Sequence, residues 1–449
     1  MNEVDMQAFY DSCVDAKGRL VYSKLLEYLI STNNFMNCGG RLYHFDEQYG
    51  YWRDITNEVP SLSIRSYIPG EWQTLLEASR IKKIVANLID SAAIVGELKS
   101  LPGYINFLNG VLELVTMKLI EHSRDFGFSY VNRCNYLPDA KLEDATVACQ
   151  YLRTSLGVET VESEEVQQVL EMLGYAISEL RLGEKAFLLL GESNCGKSVL
   201  LKLLEGVYAP KDISNLGLHE MDSPFRFAAL ANSRINLLHE VKPVRITCVD
   251  QFKRVVSSED VIAEEKGKKP IRVQSKAVLV SAANTMPDFA GVELNNSLTN
   301  RLAVIRFMGV IAQENVNRNL LQELKGERDI LFSVAVKTLP VLMKNQFRFT
   351  VPASTAEFMG AYARSLNSVA LFIEECCEVV AGAKVFSRTL YDMYSAFVKS
   401  NALCLQSEHE VGMQIRSLRG VVNKKIRIGK TNLQGYEGIG LKKNLSDLC

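Results

Sequence analysis

The chain has 449 residues, is 47% apolar and 23% charged, and carries a net charge of −1. That length allows roughly two to four domains with sizeable cores, and the even charge balance excludes a global attraction to DNA or membranes, so any nucleic-acid surface must be local. No stretch approaches the ~18 uninterrupted apolar residues of a membrane helix, and the opening MNEVDMQAFY lacks a basic-then-apolar leader pattern. The ten cysteines form no C-x-x-C pair and the five histidines do not cluster with them. They read as reduced thiols of a cytoplasmic protein, without a zinc site.

In chain order, RLYHFDEQYGYWRDI reads as two short strands around an Asp-Glu-Gln-Tyr-Gly turn. YINFLNGVLEL places Asn109-Gly110 between apolar runs, a hairpin signal. From Val161 to Arg181 the apolar spacing of Val166, Val169, Leu170 and Leu173 predicts a helix, with Ser163, Glu164 and Glu165 suited to its start.

Ala186 to Leu190 is a fully apolar run, as expected of a buried parallel strand. Leu200, Leu201, Leu203 and Leu204 then repeat at helical spacing. Between them lie Gly191, Glu192, Ser193, Asn194, Cys195, Gly196, Lys197 and Ser198, which fit the P-loop pattern G-x-x-x-x-G-K-[ST]. The glycines let the backbone turn tightly enough to aim its N–H groups at phosphates. The start of the following helix favours an anion. Lys197 is expected to reach the β- and γ-phosphates of ATP, and Ser198 to ligate Mg²⁺. The plain alternative is a glycine-rich turn before an ordinary helix.

Further along, RINLLHEVKP predicts a strand over Ile235–Leu238 with Glu240 just past its end, where a carboxylate could polarise the attacking water. His239 stands where a second acid is usual, leaving Mg²⁺ to Ser198 and water with Glu240 nearby. An ordinary surface glutamate is the competing explanation. KAVLVSAANTMPDF is another apolar run, ending at Asn284, a residue that could orient the water or simply form a turn. NRLAVIRF places Arg301 before a strand, from which it could act as an arginine finger on a neighbouring subunit, or be a surface cation. Between these runs, Val261-Ile262-Ala263 and Ile271-Arg272-Val273 flank a charged turn, giving a hairpin whose tip carries Lys266, Lys268 and Lys269. Such a tip could grip DNA phosphates, and a solvated turn is the alternative.

Beyond Thr338-Leu339-Pro340, SVALFIEECCEVV and RTLYDMYSAFVKSN look like amphipathic helices and KKIRIGKTNLQGYEGIGLKK like a β-hairpin. Two or three helices followed by a hairpin is a winged-helix pattern. Arg416 to Lys443 holds eight Lys or Arg against one Glu, either a DNA-binding patch or a solvated surface.

The ordered segments FRFAALANSRINLLHE, FKRVVSSEDVIAEEKGKKP, VLVSAANTMPDF and LTNRLAVIRF resemble superfamily 3 helicases. The resemblance is nearest to the C-terminal helicase half of phage, plasmid and poxvirus primase–helicases. INFLNGVLEL and HSRDFGFSYVNRCNYLPDA are similar to the segment that precedes that helicase. The resemblance implies an α/β fold, with an AAA+-type P-loop ATPase core over residues 141–345. An α+β domain over 1–140 would precede it and a winged-helix domain over 346–449 would follow. It implies a homo-hexameric ring on single-stranded and forked DNA, with ATP and Mg²⁺ as cofactors. Walker A maps to Gly191, Gly196, Lys197 and Ser198, the catalytic acid to Glu240, the sensor to Asn284 and the finger to Arg301. The DNA-gripping hairpin maps to the stretch around Lys266 and Lys268. Upstream there is only an isolated Asp46-Glu47 and no primase-like arrangement of acids and His, so priming is expected from a separate protein. Two other functions remain open: an initiator that binds and melts one origin, with the ATPase controlling assembly, and an ATPase that works without nucleic acid.

Overall fold

The computed structural model describes all residues except 1–2, 57–59, 74–75, 232, 243, 265–270, 288, 290–297, 299, 310, 312–316, 367, 402, 404 and 443–449. The chain divides into two compact units, Met1–Asp288 with Arg301–Thr350, and Phe289–Asn300 with Val351–Cys449.

The first unit opens with an antiparallel sheet of β1 (Phe35–Cys38), β2 (Arg41–Asp46) and β3 (Tyr51–Asp54). Helices Tyr22–Ser31 and Ala78–Asp90 turn Leu25, Leu29, Ile81, Ile84 and Leu88 into a core shared with Phe35 and Leu42. A second antiparallel sheet follows: β4 (Tyr104–Phe107), β5 (Gly110–Glu113) and β6 (Lys118–Ile120). The Asn109-Gly110 hairpin lies where the sequence places it, whereas β1 and β6 add edge strands that the sequence reading lacked. One hydrophobic core runs from Ile105 and Phe107 through Val166–Ile177 to Phe349. Side chains on both sides of residue 140 therefore share it.

The centre of this unit is a five-stranded parallel sheet. Its strands are β7 (Ala186–Gly191), β8 (Ile213–Ser214), β9 (Ile235–Leu238), β12 (Val278–Ala283) and β13 (Leu302–Phe307). Between β9 and β12 the chain makes the antiparallel pair β10 (Asp260–Ala263) and β11 (Ile271–Gln274). The spatial order is β13-β7-β12-β9-β8. Every pairing in it is parallel, with Val280 opposite Phe187, Leu302 opposite Ala186 and Val278 opposite Ile235. All six residues of β12 are buried, the pattern of a strand covered on both faces.

Helix Glu164–Ile177 covers the sheet and is buried from Gln168 to Ile177. Its Ser163 cap accepts from the Val166 amide, as the sequence suggests. Two of its polar side chains are buried but satisfied. Gln168 donates to the Val304 carbonyl at 3.1 Å, and Glu171 accepts from the Thr350 amide and hydroxyl at 2.8 Å each.

The second unit contains helices Ala353–Leu366, Ser368–Cys376, Ser387–Ser400 and Glu408–Ser417. Its strands are β14 (Cys377–Glu378), β15 (Lys384–Phe386), β16 (Val422–Ile428), β17 (Thr431–Glu437) and β18 (Gly440–Leu441). β15, β17 and β16 form an antiparallel sheet, and β14 pairs with β18. Val369, Phe372, Tyr394, Val411, Ile415 and Tyr436 share its core. Among the described residues of the whole chain, no helix is long and apolar enough to cross a membrane.

Candidate active site

The glycine-rich loop leaves β7 at Gly191 and enters helix Lys197–Glu205. Its shape depends on two backbone positions in the left-handed region, Asn194 at φ 62° and Gly196 at φ 94°. Asn tolerates that region and Gly adopts it freely. Gly191 and Gly196 are also needed for space. A Cβ on Gly191 would run into the Phe307 carbonyl of β13, and one on Gly196 into the Ser155 hydroxyl of helix Thr146–Leu156. Tyr151 of that helix holds the loop from below, donating to the Gly196 carbonyl at 3.0 Å.

With the loop so fixed, the amides of Asn194, Cys195, Gly196, Lys197 and Ser198 donate to no carbonyl among the described residues. Together with a helix N-terminus, such a run of amides without carbonyl partners can cradle an anion. Lys197 is 7% exposed. Its Nζ donates to the Gly191 carbonyl at 2.6 Å, the Glu192 carbonyl at 2.7 Å and Asn284 Oδ1 at 3.2 Å, and lies 3.3 Å from Cys195 Sγ. The ammonium is thus held at the head of the loop, against the tip of β12.

A cleft of about 380 Å³ opens above this loop. It brings together Lys197 and Ser198, from the start of the helix after β7, with His239, Glu240 and Asn284, from just past the ends of β9 and β12. Glu240 follows β9, is exposed, and has no ion-pair partner among the described residues. His239 faces Glu205, with Nε2 3.7 Å from Oε2. Ile311, Asn317 and Leu320 close the cleft from a distant part of the chain, and nothing in the sequence pattern marked them. The cleft lies outside the carboxyl ends of β7, β9 and β12, where open α/β sheets take ligands.

The donor set suits a small hard cation. The Ser198 hydroxyl and Glu240 carboxylate offer oxygen ligands, and Mg²⁺ needs only one or two protein groups beside phosphate and water. Among the described residues there is no larger cluster of His, Cys, Asp or Glu poised to hold a metal.

Arg301 is not in the cleft. It precedes β13, and its carbonyl accepts from the Ala186 amide at the start of β7, so it sits at the amino end of the sheet. There Arg301 Nε donates to Ser257 Oγ at 2.9 Å and Nη2 lies 3.4 Å from Glu184 Oε2. The same serine donates to Glu184 Oε2 at 3.0 Å. The neighbouring Lys185 ammonium is lowered in pKa by burial and by the Arg301 charge. Lys266, Lys268 and Lys269 lie outside the described residues, and the β10–β11 arms that lead to them are antiparallel as expected. In the second unit, Arg416, Arg419, Lys424, Lys425, Arg427 and Lys430 are all exposed around the β16–β17 hairpin. Lys424 pairs with Glu437 at 2.7 Å.

Residues 24–171 match the family described as D5 N terminal like, and residues 189–300 match a family of unknown function, DUF5906. No curated protein matches the chain at a significant level. Among solved structures, the chain is similar to the A-form apo structure of the NrS-1 C-terminal region. The identity is 12% and the TM-score 0.52, over 92% of this chain and 98% of that one. A further apo structure of that region matches over the same shares at 13% identity with a TM-score of 0.46. The likeness to the first of these structures is one of fold, a mixed α/β architecture that here holds a parallel five-stranded sheet.

Proposed function

We propose that this chain is an ATP-dependent DNA helicase of a phage, plasmid or other mobile element. On this reading it is a superfamily 3, AAA+-type P-loop motor that acts in DNA replication in the cytoplasm, as a homo-hexameric ring on single-stranded DNA. The observation that carries the reading is the convergence of Lys197, Ser198, Glu240 and Asn284 on one cleft above an anion cradle. Those side chains come from the start of one helix and the ends of two strands far apart in sequence, and a structural turn needs no such convergence.

On this reading the loop amides and the start of helix Lys197–Glu205 bind the phosphates of ATP. Lys197 exchanges carbonyl partners for phosphate oxygens, a short movement because its Nζ already sits at the head of the loop. Bound Mg²⁺ would neutralise phosphate charge, held by Ser198 and the Glu240 side of the cleft. Glu240 polarises the attacking water and Asn284 orients it. Arg301 stabilises the transferring phosphate of a neighbouring copy, because its own cleft lies at the other end of the sheet. The β10–β11 hairpin, with Lys266, Lys268 and Lys269, would grip the strand. The second unit would be a winged helix whose basic β16–β17 hairpin supports DNA loading, and priming would come from another protein.

The test is separation of a forked DNA duplex by the purified chain with ATP, with and without Mg²⁺. The reading predicts strand separation that needs both, and none from Lys197→Ala. Hydrolysis without strand separation overturns the helicase assignment. Should that be joined by tight binding to one duplex sequence over competitor DNA at the same salt, the initiator function takes its place.

A further inference from the structure

At the amino end of the sheet lies a second cleft, of about 240 Å³. Four cations line it, Lys99, Arg181, Arg234 and Lys276, against one carboxylate, Glu179. Arg234 immediately precedes β9 and Lys276 lies two residues before β12, so the cleft is at the opposite end of the strands from Glu240 and Asn284.

The positive charge in this cleft is left largely uncompensated. Glu179 is committed to its own neighbours, accepting from the Ser100 hydroxyl at 3.0 Å and the Leu101 amide at 2.8 Å. Three of the cations bond to uncharged oxygens instead. Lys99 Nζ reaches the Asp125 carbonyl at 2.8 Å, and Arg181 Nε the Lys276 carbonyl at 2.5 Å. Arg234 donates to Asn132 Oδ1 at 3.1 Å and the Ile177 carbonyl at 3.0 Å. Its guanidinium stacks 3.4 Å from the Tyr130 ring centroid, with Nε buried and unpartnered. Tyr130 is 1% exposed and its hydroxyl has no partner either. Asp212, a carboxyl on which the Arg234 charge acts, does not line the cleft. Like charges gathered beside two partly buried guanidiniums repel one another, and an anion between them relieves that repulsion.

We propose that this cleft binds a phosphate of a nucleic-acid strand. The face of Tyr130 is covered by Arg234, which favours contact with the sugar–phosphate backbone over stacking of a base. The cleft also adjoins the foot of the hairpin. Gln274, the last residue of β11, lines it, so a strand engaged by the hairpin would have its backbone close to these cations. The choice of a strand rests on the helicase reading above, whereas the affinity for phosphate follows from the cleft itself.

The experiment uses the full chain and the double variants Lys99→Ala/Lys276→Ala and Lys99→Glu/Lys276→Glu. Both lysines are exposed, so the variants should keep the parental unfolding temperature. Anisotropy of an end-labelled oligo-dT is measured over a salt series, beside binding of a fluorescent ATP analogue and calorimetric titration with inorganic phosphate. The expected result is a loss of oligo-dT affinity of about tenfold or more, with the salt slope reduced by about one to two. ATP-analogue binding should stay at the parental level. Loss of inorganic-phosphate binding with oligo-dT affinity intact would overturn the strand and leave a free anion as the occupant. Parental behaviour in both titrations would overturn the site. Absence of ATP hydrolysis by the parent would defeat the helicase reading alone, since neither binding measurement depends on turnover.

Discussion

The two ends of the parallel sheet are built from opposite materials. At the carboxyl end, a single eight-residue motif supplies amides without carbonyl partners and one buried lysine, and two strand tips add Glu240 and Asn284. At the amino end there is no such motif. Cations from several separate segments meet there: Arg301 beside Glu184, and the cluster around Arg234. The same strands connect the two. β9 (Ile235–Leu238) lies between Arg234 and the His239-Glu240 pair, and β12 (Val278–Ala283) between Lys276 and Asn284, at about 3.3 Å per residue. An end made of backbone dipoles suits a small, fixed polyphosphate. An end made of side-chain cations suits partners that arrive and leave, a neighbouring subunit or a charged strand.

This contrast can be broken by mutation. The largest effect is expected of Arg301→Ala, which should lower hydrolysis by about 10³- to 10⁵-fold while ATP binding persists, because the side chain is remote from its own cleft. Turnover at the parental rate would make Arg301 a partner of Glu184 and nothing more. Glu240→Gln should cost between about 10²- and 10⁴-fold in hydrolysis with nucleotide still bound, measured by phosphate release beside analogue binding. A fully active Glu240→Gln protein would mean that another group activates the water.

A third substitution sharpens the account of the loop. Gly196→Ala places a methyl against Ser155 at a backbone φ of 94° and should destabilise the chain by about 1–3 kcal/mol. Calorimetric unfolding would read that loss, and nucleotide binding should weaken with it. An unchanged unfolding temperature would show that the loop rearranges freely. The smallest effect is expected of Glu184→Gln, which removes a half-exposed ion pair from Arg301. Such pairs are worth about 0.2–1 kcal/mol, so the protein concentration at half-maximal ATPase activity should shift by no more than about fivefold.

What the sequence made legible follows the same division. The loop from Gly191 to Ser198 is contiguous, so its residue types and spacing carry its chemistry. The strands at Ile235–Leu238 and Val278–Ala283 were visible as apolar runs ending in a polar residue. Tyr151 and Ser155 beneath the loop, Ile311 and Asn317 across the cleft, and Ser257 on Arg301 were not visible. Each meets its partner through tertiary packing across more than 40 residues of chain, and no local period records that. Strand β6 was hidden for another reason: it is three residues long and largely exposed, so it lacks an apolar run. Helix Glu408–Ser417 went unread, although its start carries a capping box of Ser407 and Glu410.

The arrangement of the two ends makes one demand that a single experiment can meet. If the cleft of one copy is completed by Arg301 of the next, two dead proteins should rescue each other. Arg301→Ala keeps the loop and Lys197→Ala keeps the finger. In a random equal mixture, roughly a quarter of head-to-tail interfaces pair an intact loop with an intact finger. ATP hydrolysis should therefore reappear on mixing, in proportion to the mixed assemblies formed. No recovery in mixtures shown to contain both proteins in one ring would contradict the account.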